Sequence, residues 1–361
     1  MEYPMRWFYV PNEMIEGDQI GPRMAFEKLH LEGHFAAYQA YSYLVRQQVL
    51  QNHAAALNEM LTAIRDFAAD VVFIQHPNNG YSLDVHYLQQ IKQLPSRPKL
   101  VLYEEDPYGH WVKRIDETLK AVLAASDMCF LGGTGYLLEL ARKAGAKHIR
   151  YAPHSYDKQR FGTPWQPTHT RKFDAVMIAN LPCLKRIPWL YVPGGRSRKR
   201  MADALYKQFG QRFAVYGGDL GWENVPYCHG KIAFNQQGDV IRDAWMSVNW
   251  GQYDEIALYS SDRLPISLAC GVPHITNYQS GYEHIFSQIP GLFVIKTPKE
   301  AVDVATYLLS LPKEQRNELG FLAADYAREH LEACVVYAQI VNVIREQLFK
   351  SHEYIGSTAA I

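Results

Sequence analysis

Four polar groups stand where apolar runs begin or end, and each points to a chemistry. Ser260-Ser261-Asp262-Arg263 precedes the small apolar run Leu264 to Cys270. A guanidinium at a helix start, beside unpaired backbone N–H groups, suits an anion such as a phosphate. The same Arg263 beside Asp262 can equally form a salt bridge that holds a loop. His76 closes the run Asp70-Val-Val-Phe-Ile-Gln, and Glu104-Glu105-Asp106-Pro107 closes Lys99 to Tyr103, with His110 soon after. Asp106, Glu105, His76 or His110 can position or deprotonate a hydroxyl. The alternatives are that the acids cap a helix starting near Tyr108 or Trp111 and that His76 only packs its strand end. Finally, Arg196, Arg198, Lys199 and Arg200 lie close together. They can grip a diphosphate, since guanidinium donors match phosphate oxygens, or form an exposed basic turn.

The runs that carry these groups are short, β-branched and aromatic, as in a parallel sheet covered on both faces. Side chains just beyond the carboxyl ends of such strands line the ligand crevice. In the first half, strands are expected at Arg6 to Val10, Asp70 to His76, Lys99 to Tyr103, Asp127 to Leu131 and His148 to Pro153. A loop with Gly17 leads to a helix entered at Gly21-Pro22 and ending near Gly33. Tyr41 to Phe67 has one helical period throughout. Gly132-Gly133-Thr134-Gly135 lacks the P-loop lysine and the dinucleotide spacing, so it reads as a turn. Gly162 to Arg171, with two prolines, reads as a linker. In the second half, strands are expected at Phe173 to Ile178, Phe213 to Tyr216, Ser247 to Trp250 and Val272 to Asn277. Helices are expected at Met201 to Phe209, Val240 to Met246 and Leu264 to Cys270, with another opening at Gly281. Amphipathic helices follow from Thr297 to Leu311 and Lys313 to His330, and the last from Val335 to Phe349. This gives an α/β chain with domains at 1–165 and 166–335 and a terminal helix in 336–361.

Composition narrows the function. Lys plus Arg equals Asp plus Glu at 37 each, so the formal charge is zero. A nonspecific nucleic-acid binder would carry a basic excess, and no nucleic-acid partner is expected. The 24 Tyr and 7 Trp suit sugar faces as well as cores. The five cysteines lack CxxC spacing and read as reduced thiols of a cytoplasmic protein. No apolar window reaches the length of a membrane span and no signal peptide is seen. The aromatic Trp189-Leu190-Tyr191 in the basic insert leaves peripheral membrane contact open. No metal-ligand spacing is present, and no bound metal or cofactor is expected.

The run R-x-x-x-x-L-A-C-G-V-P-x-I-T-N, followed by G-Y-E-H-I-F, resembles the donor half of two-domain B-fold glycosyltransferases. It is most similar to the branch of spore-maturation glycosyltransferase-like proteins. Further matches run along the chain: the acids before Pro107, Pro153 with Asp157 and Phe161, and a strand ending in Tyr216-Gly217. The resemblance implies two Rossmann-like domains facing across a cleft, with the terminal helix returning to the first domain. It implies a sugar moved from a nucleotide-activated donor to a hydroxyl of a glycan or small-molecule acceptor. Gly17, Arg200, Gly217, Gly218, Arg263, Gly281, Tyr282 and Glu283 would then hold the donor, and His76, Asp106 or His110 would serve the acceptor. Many retaining relatives carry a second, ribose-binding Glu where this chain has Ile266, which cannot accept a hydrogen bond. A non-catalytic nucleotide-binding relative and a B-fold nucleotide-sugar epimerase are the competing expectations.

Overall fold

Two all-parallel sheets order the chain, and a computed structural model describes residues 5–163, 166–187 and 189–349. Pro164 and Trp165 of the linker, Pro188 of the basic insert and the tail from residue 350 lie outside the described residues. The chain divides into two units. The first comprises residues 1–106, 114–153 and 333–361, and the second 107–113 and 154–332.

The first unit holds β1 (Met5–Val10), β2 (Phe35–Ala40), β3 (Val71–Gln75), β4 (Lys99–Glu104), β5 (Met128–Leu131) and β6 (Ile149–Tyr151). Their order is β2-β1-β3-β4-β5-β6. β3 is buried at every position, as its Val, Phe and Ile content requires in a doubly covered sheet. Trp7, Phe26 and Phe73 form an aromatic core beneath the helix Ala333–Ile344. Tyr337 of that helix meets Phe26 edge-on at 5.1 Å. Burying each such ring contributes roughly 2 kcal/mol, which ties the C-terminal helix to this unit.

Two local expectations change here. The single helix expected from Tyr41 to Phe67 is two helices, Tyr43–Leu50 and His53–Phe67. Gln51 turns left-handed at φ 48°, and the Asn52 side chain caps the second helix by accepting from Ala55 N at 3.0 Å. The edge strand β2 carries no alternating pattern, since Ala36 to Ala40 are all partly or fully exposed, and sequence periodicity did not predict it.

The second unit holds β7 (Phe173–Ile178), β8 (Phe213–Tyr216), β9 (Ala244–Asn249), β10 (His274–Asn277) and β11 (Leu292–Ile295), in the order β11-β10-β9-β7-β8. The helix expected over Val240 to Met246 is instead Gln237–Arg242. Ala244 and Met246 pair with Phe173 and Ala175 of β7, so the strand begins earlier than Ser247. The composition of residues 162–171 places a boundary there, whereas the unit begins at His154. Tyr156 N donates to Leu331 O at 3.0 Å and Phe161 is fully buried in this unit's core. Residues 107–113 also belong to it: the Tyr253 hydroxyl donates to Val112 O at 2.8 Å. The architecture is the expected α/β class, two Rossmann-like units each built on a parallel sheet.

Candidate functional site

In the second unit, two glycines bring the carboxyl ends of β7 and β8 together. A Cβ on Gly217 would lie 1.9 Å from Ala179 O, and one on Gly218 would lie 1.9 Å from Lys231 Cε. Gly218 N also donates to Asn180 Oδ1 at 3.0 Å. The glycines therefore let the turn after β8 lie against the end of β7. Beside them is a cavity of about 190 Å³, bordered by Asn180, Tyr216, Gly217, Lys231, Gln237 and Arg263, with Ile178 and Ile232 as apolar walls.

Arg263 opens the helix Arg263–Ala269 and borders the cavity while pairing with Asp262. The salt bridge that the sequence allowed for Arg263 is present, and it leaves the residue on the border of the cavity. That helix is fastened to the sheet from below. Ser267 Oγ donates to Ser247 Oγ of β9 at 2.9 Å, and Ser247 Oγ lies 3.2 Å from His274 Nδ1 of β10. All three are buried. Burial holds the His274 imidazole down to about 3, so it stays neutral.

The basic run is placed differently from the expectation that it grips a diphosphate. Arg200 and Arg196 are exposed, and Lys199 pairs with Asp203 at 2.5 Å. Arg198 is the one turned inward. Its Nη2 donates to Trp250 O at 2.6 Å and its Nη1 to Asn180 O. It thereby stitches the end of β9 to the end of β7. Burial, and then the positive charge of Arg263, push its guanidinium down to about 10. The cations at the cavity are Arg263 and Lys231. Lys231 is the residue that sequence reasoning missed, although it directly follows Cys228-His229-Gly230.

The segment around Gly281 contributes less than its sequence promised. Its helix, Tyr282–Ile285, has four residues, too few for a strong dipole. Tyr282 is in the core, with its hydroxyl donating to Tyr259 O. Gly281 has φ 87°, and a Cβ there would meet Leu258 Cδ2 at 2.7 Å. Glu283 is exposed and accepts from the Tyr278 hydroxyl at 3.0 Å. Ile266 is 1 % exposed within the apolar core.

In the first unit, the ends of β3 and β4 form a second cluster. His76 leaves β3 at φ 45°, a left-handed conformation that is strained for a residue with a Cβ. Its Nδ1 lies 2.5 Å from Glu104 Oε1, and its Nε2 lies 3.4 Å from Asp106 Oδ2. Asp106 N donates to the same Glu104 oxygen at 2.9 Å. Glu104 is buried, and its Oε2 has no hydrogen-bond partner. Burial pushes its carboxyl above the usual range, against the opposing pull of His76. Glu105 accepts from Gln75 Nε2 at 2.9 Å. Gly132 permits this packing, because a Cβ there would lie 2.9 Å from Glu105 O.

The acids do not cap a helix near Tyr108. The next helix is Glu117–Ala125, capped by Asp116 accepting from Leu119 N at 2.8 Å. The structure thus brings His76 and Asp106 together through Glu104, which the sequence did not single out. His110 is exposed and belongs to the 107–113 segment of the second unit. Gly17 sits at φ 85° with open space around it; it shapes a turn that Glu13 anchors by pairing with Arg23.

Comparison with known proteins follows this division. Residues 196–346 match the family model described as "Glycosyl transferase-like". No curated protein matches the chain. Among solved structures, Anabaena Alr3699/HepE in complex with UDP and glucose is similar at 12 % identity and a TM-score of 0.59, over 95 % of this chain and 100 % of that one. Sucrose-phosphate synthase from Thermosynechococcus elongatus is similar at 12 % identity and 0.59, over 96 % and 99 %. A putative UDP-N-acetylglucosamine 2-epimerase from Listeria monocytogenes is similar at 10 % identity and 0.51, over 95 % and 97 %. The chain thus has the fold of the two-domain B-type glycosyltransferases, and its residues 196–346 match the glycosyl transferase-like family.

Proposed function

We propose that the protein transfers a sugar from a nucleotide-activated donor to a hydroxyl acceptor. One observation carries this: the cavity at the carboxyl ends of β7 and β8, with Arg263 and Lys231 on its border, lies within the unit that holds most of the glycosyl transferase-like match. The donor diphosphate is held there. Arg263 and Lys231 balance the charge that develops as the sugar leaves, so no bound metal is required. Gly217 and Gly218 keep the cavity open by admitting the backbone and Lys231 so closely.

On the acceptor side, His76 is the base. Glu104 holds its Nδ1, and Nε2, on the side of Asp106, takes the hydroxyl proton. Asp106, beside Nε2, orients that hydroxyl or stabilises the charged ring. The acceptor oxygen forms a bond to the anomeric carbon. The bond from that carbon to the diphosphate breaks, with its electrons passing to the phosphate oxygen. His110 is a secondary candidate for acceptor contact.

The R-x-x-x-x-L-A-C-G-V-P run supports the spore-maturation glycosyltransferase-like branch. Five free cysteines fit a reducing, cytoplasmic setting. Trp189 is 74 % exposed beside Lys185 and Arg186, which supports contact with an anionic surface or acceptor.

The test is calorimetric binding of UDP, GDP, ADP, CMP and dTDP to the wild type and to Arg263→Ala, in the presence of EDTA. One nucleotide should bind the wild type tightly and the variant weakly. Failure of every nucleotide to bind removes the proposal. With the nucleotide-sugar of the base that binds, release of free nucleotide with no sugar transferred to any acceptor supports the epimerase reading instead, which the similarity to the Listeria structure favours.

A further inference from the structure

Gln237 opens the helix Gln237–Arg242, directly after the 3-10 turn Phe234–Gln236. Its side chain is buried, at 7 % exposure, and its amide oxygen has no hydrogen-bond partner. It nevertheless borders the same cavity as Arg263 and Lys231. A buried acceptor left unpaired is costly, so its retention calls for a partner that arrives from outside. The position is also firmly held. A Cβ on the adjacent Gly238 would lie 3.1 Å from Arg242 Nη2 and 3.2 Å from the Phe161 ring.

We propose that Gln237 reads the nucleoside half of the donor, its amide oxygen accepting a hydrogen bond from a base N–H or a ribose hydroxyl. This rests on the donor-binding role proposed above. An ionised diphosphate offers only acceptors, so it cannot satisfy this oxygen. Arg263 and Lys231 match the phosphates instead. A base and a ribose both carry donors, and Tyr216, Ile178 and Ile232 supply aromatic and apolar surface in the same cavity. The terminal amide torsion is soft, so the group turns toward a bound nucleoside without moving the helix. Gln237 is thereby a specificity-determining residue, selecting nucleosides that present a donor at this point.

The experiment is calorimetry on the full chain, comparing wild type with Gln237→Leu and Gln237→Met. The ligands are whichever nucleoside diphosphate of the panel binds the wild type, its 2′-deoxy form, and inorganic pyrophosphate. Both variants should bind the nucleoside diphosphate about tenfold more weakly, as expected for one lost hydrogen bond, and bind pyrophosphate as the wild type does. If the deficit disappears with the 2′-deoxy ligand, the donor is the 2′-hydroxyl; if it persists, the donor is the base or the 3′-hydroxyl. An unchanged nucleotide affinity, or an equal loss for pyrophosphate, overturns the assignment. A wild type that binds none of the nucleotides overturns the donor-binding role itself, which is a separate result.

Discussion

His76 Nδ1 and Glu104 Oε1 lie 2.5 Å apart, while the other Glu104 oxygen is buried without a partner. A fully charged carboxylate would leave that oxygen uncompensated, and burial accordingly raises the Glu104 carboxyl above its ordinary 4.5. A group whose folded pKa is raised favours folding most when it is protonated. Its contribution is therefore complete below 4.5 and is lost as pH rises through the higher folded value. Glu104→Gln keeps the acceptor for His76 and removes the charge. Its melting temperature should gain on the wild type from pH 5 to pH 8. Melts that run parallel across that range contradict a raised carboxyl.

His76 separates binding from chemistry. His76→Ala removes the proposed base, and His76 is not one of the residues that border the second unit's cavity. Turnover should fall by about 10²–10⁴, with the affinity for nucleoside diphosphate unchanged. Asp106→Asn should cost less, because its carboxylate lies 3.4 Å from Nε2 and acts on the ring rather than replacing it. Transfer rates under saturating donor, with binding measured alongside, decide the point. Equal turnover in wild type and His76→Ala would move the base elsewhere.

Strand ends were legible in the sequence, whereas side-chain direction was not. His76, Asp106, Gly217 and Arg263 all follow or open short apolar elements, and the α/β alternation alone places them at sheet edges. Arg198 and Arg200 are indistinguishable in sequence. Only the turn of the helix Gly195–Phe209 decides that Arg198 meets Trp250 O while Arg200 meets solvent. Glu104 looked like one of three acids at a helix start, and no local pattern says that it alone is buried. Tyr282 sat in a motif with Gly281 and Glu283, yet its ring packs 4.7 Å from Phe286. Gln237 and Lys231 carry no motif: Gln237 stands out by its burial, and both by bordering a cavity formed by distant residues.

The glycines near the proposed sites divide into two kinds, and substitution should tell them apart. A Cβ on Gly217 would stand 1.9 Å from Ala179 O, where the backbone has no room to yield. Gly217→Ala should lower stability by about 1–3 kcal/mol and reduce nucleotide affinity by displacing the end of β7. Gly17 has open space and only a left-handed φ of 85°. Gly17→Ala should cost about 1 kcal/mol and leave nucleotide affinity unchanged. Chemical denaturation and calorimetry on both variants read these effects. A loss of nucleotide binding in Gly17→Ala would show that its loop contacts the donor after all.

His274 makes the second unit sensitive to acid. It is buried beneath the helix that carries Arg263 and lies 3.2 Å from Ser247 Oγ. Burial depresses its imidazole from 6.5 to about 3. The unfolded chain therefore takes up a proton near pH 6.5 that the folded chain refuses. Stability from this group is complete above 6.5 and is lost as pH falls toward 3, at about 1.4 kcal/mol per pH unit. His274→Asn retains a polar partner for Ser247 without the titration. It should start less stable at pH 7.5, because it leaves space in a packed site, but should lose stability more gently between pH 6.5 and 4.5. Denaturation midpoints across that range give the two slopes, and their difference should approach one proton. Identical slopes would mean that His274 reaches solvent and protonates in the folded protein.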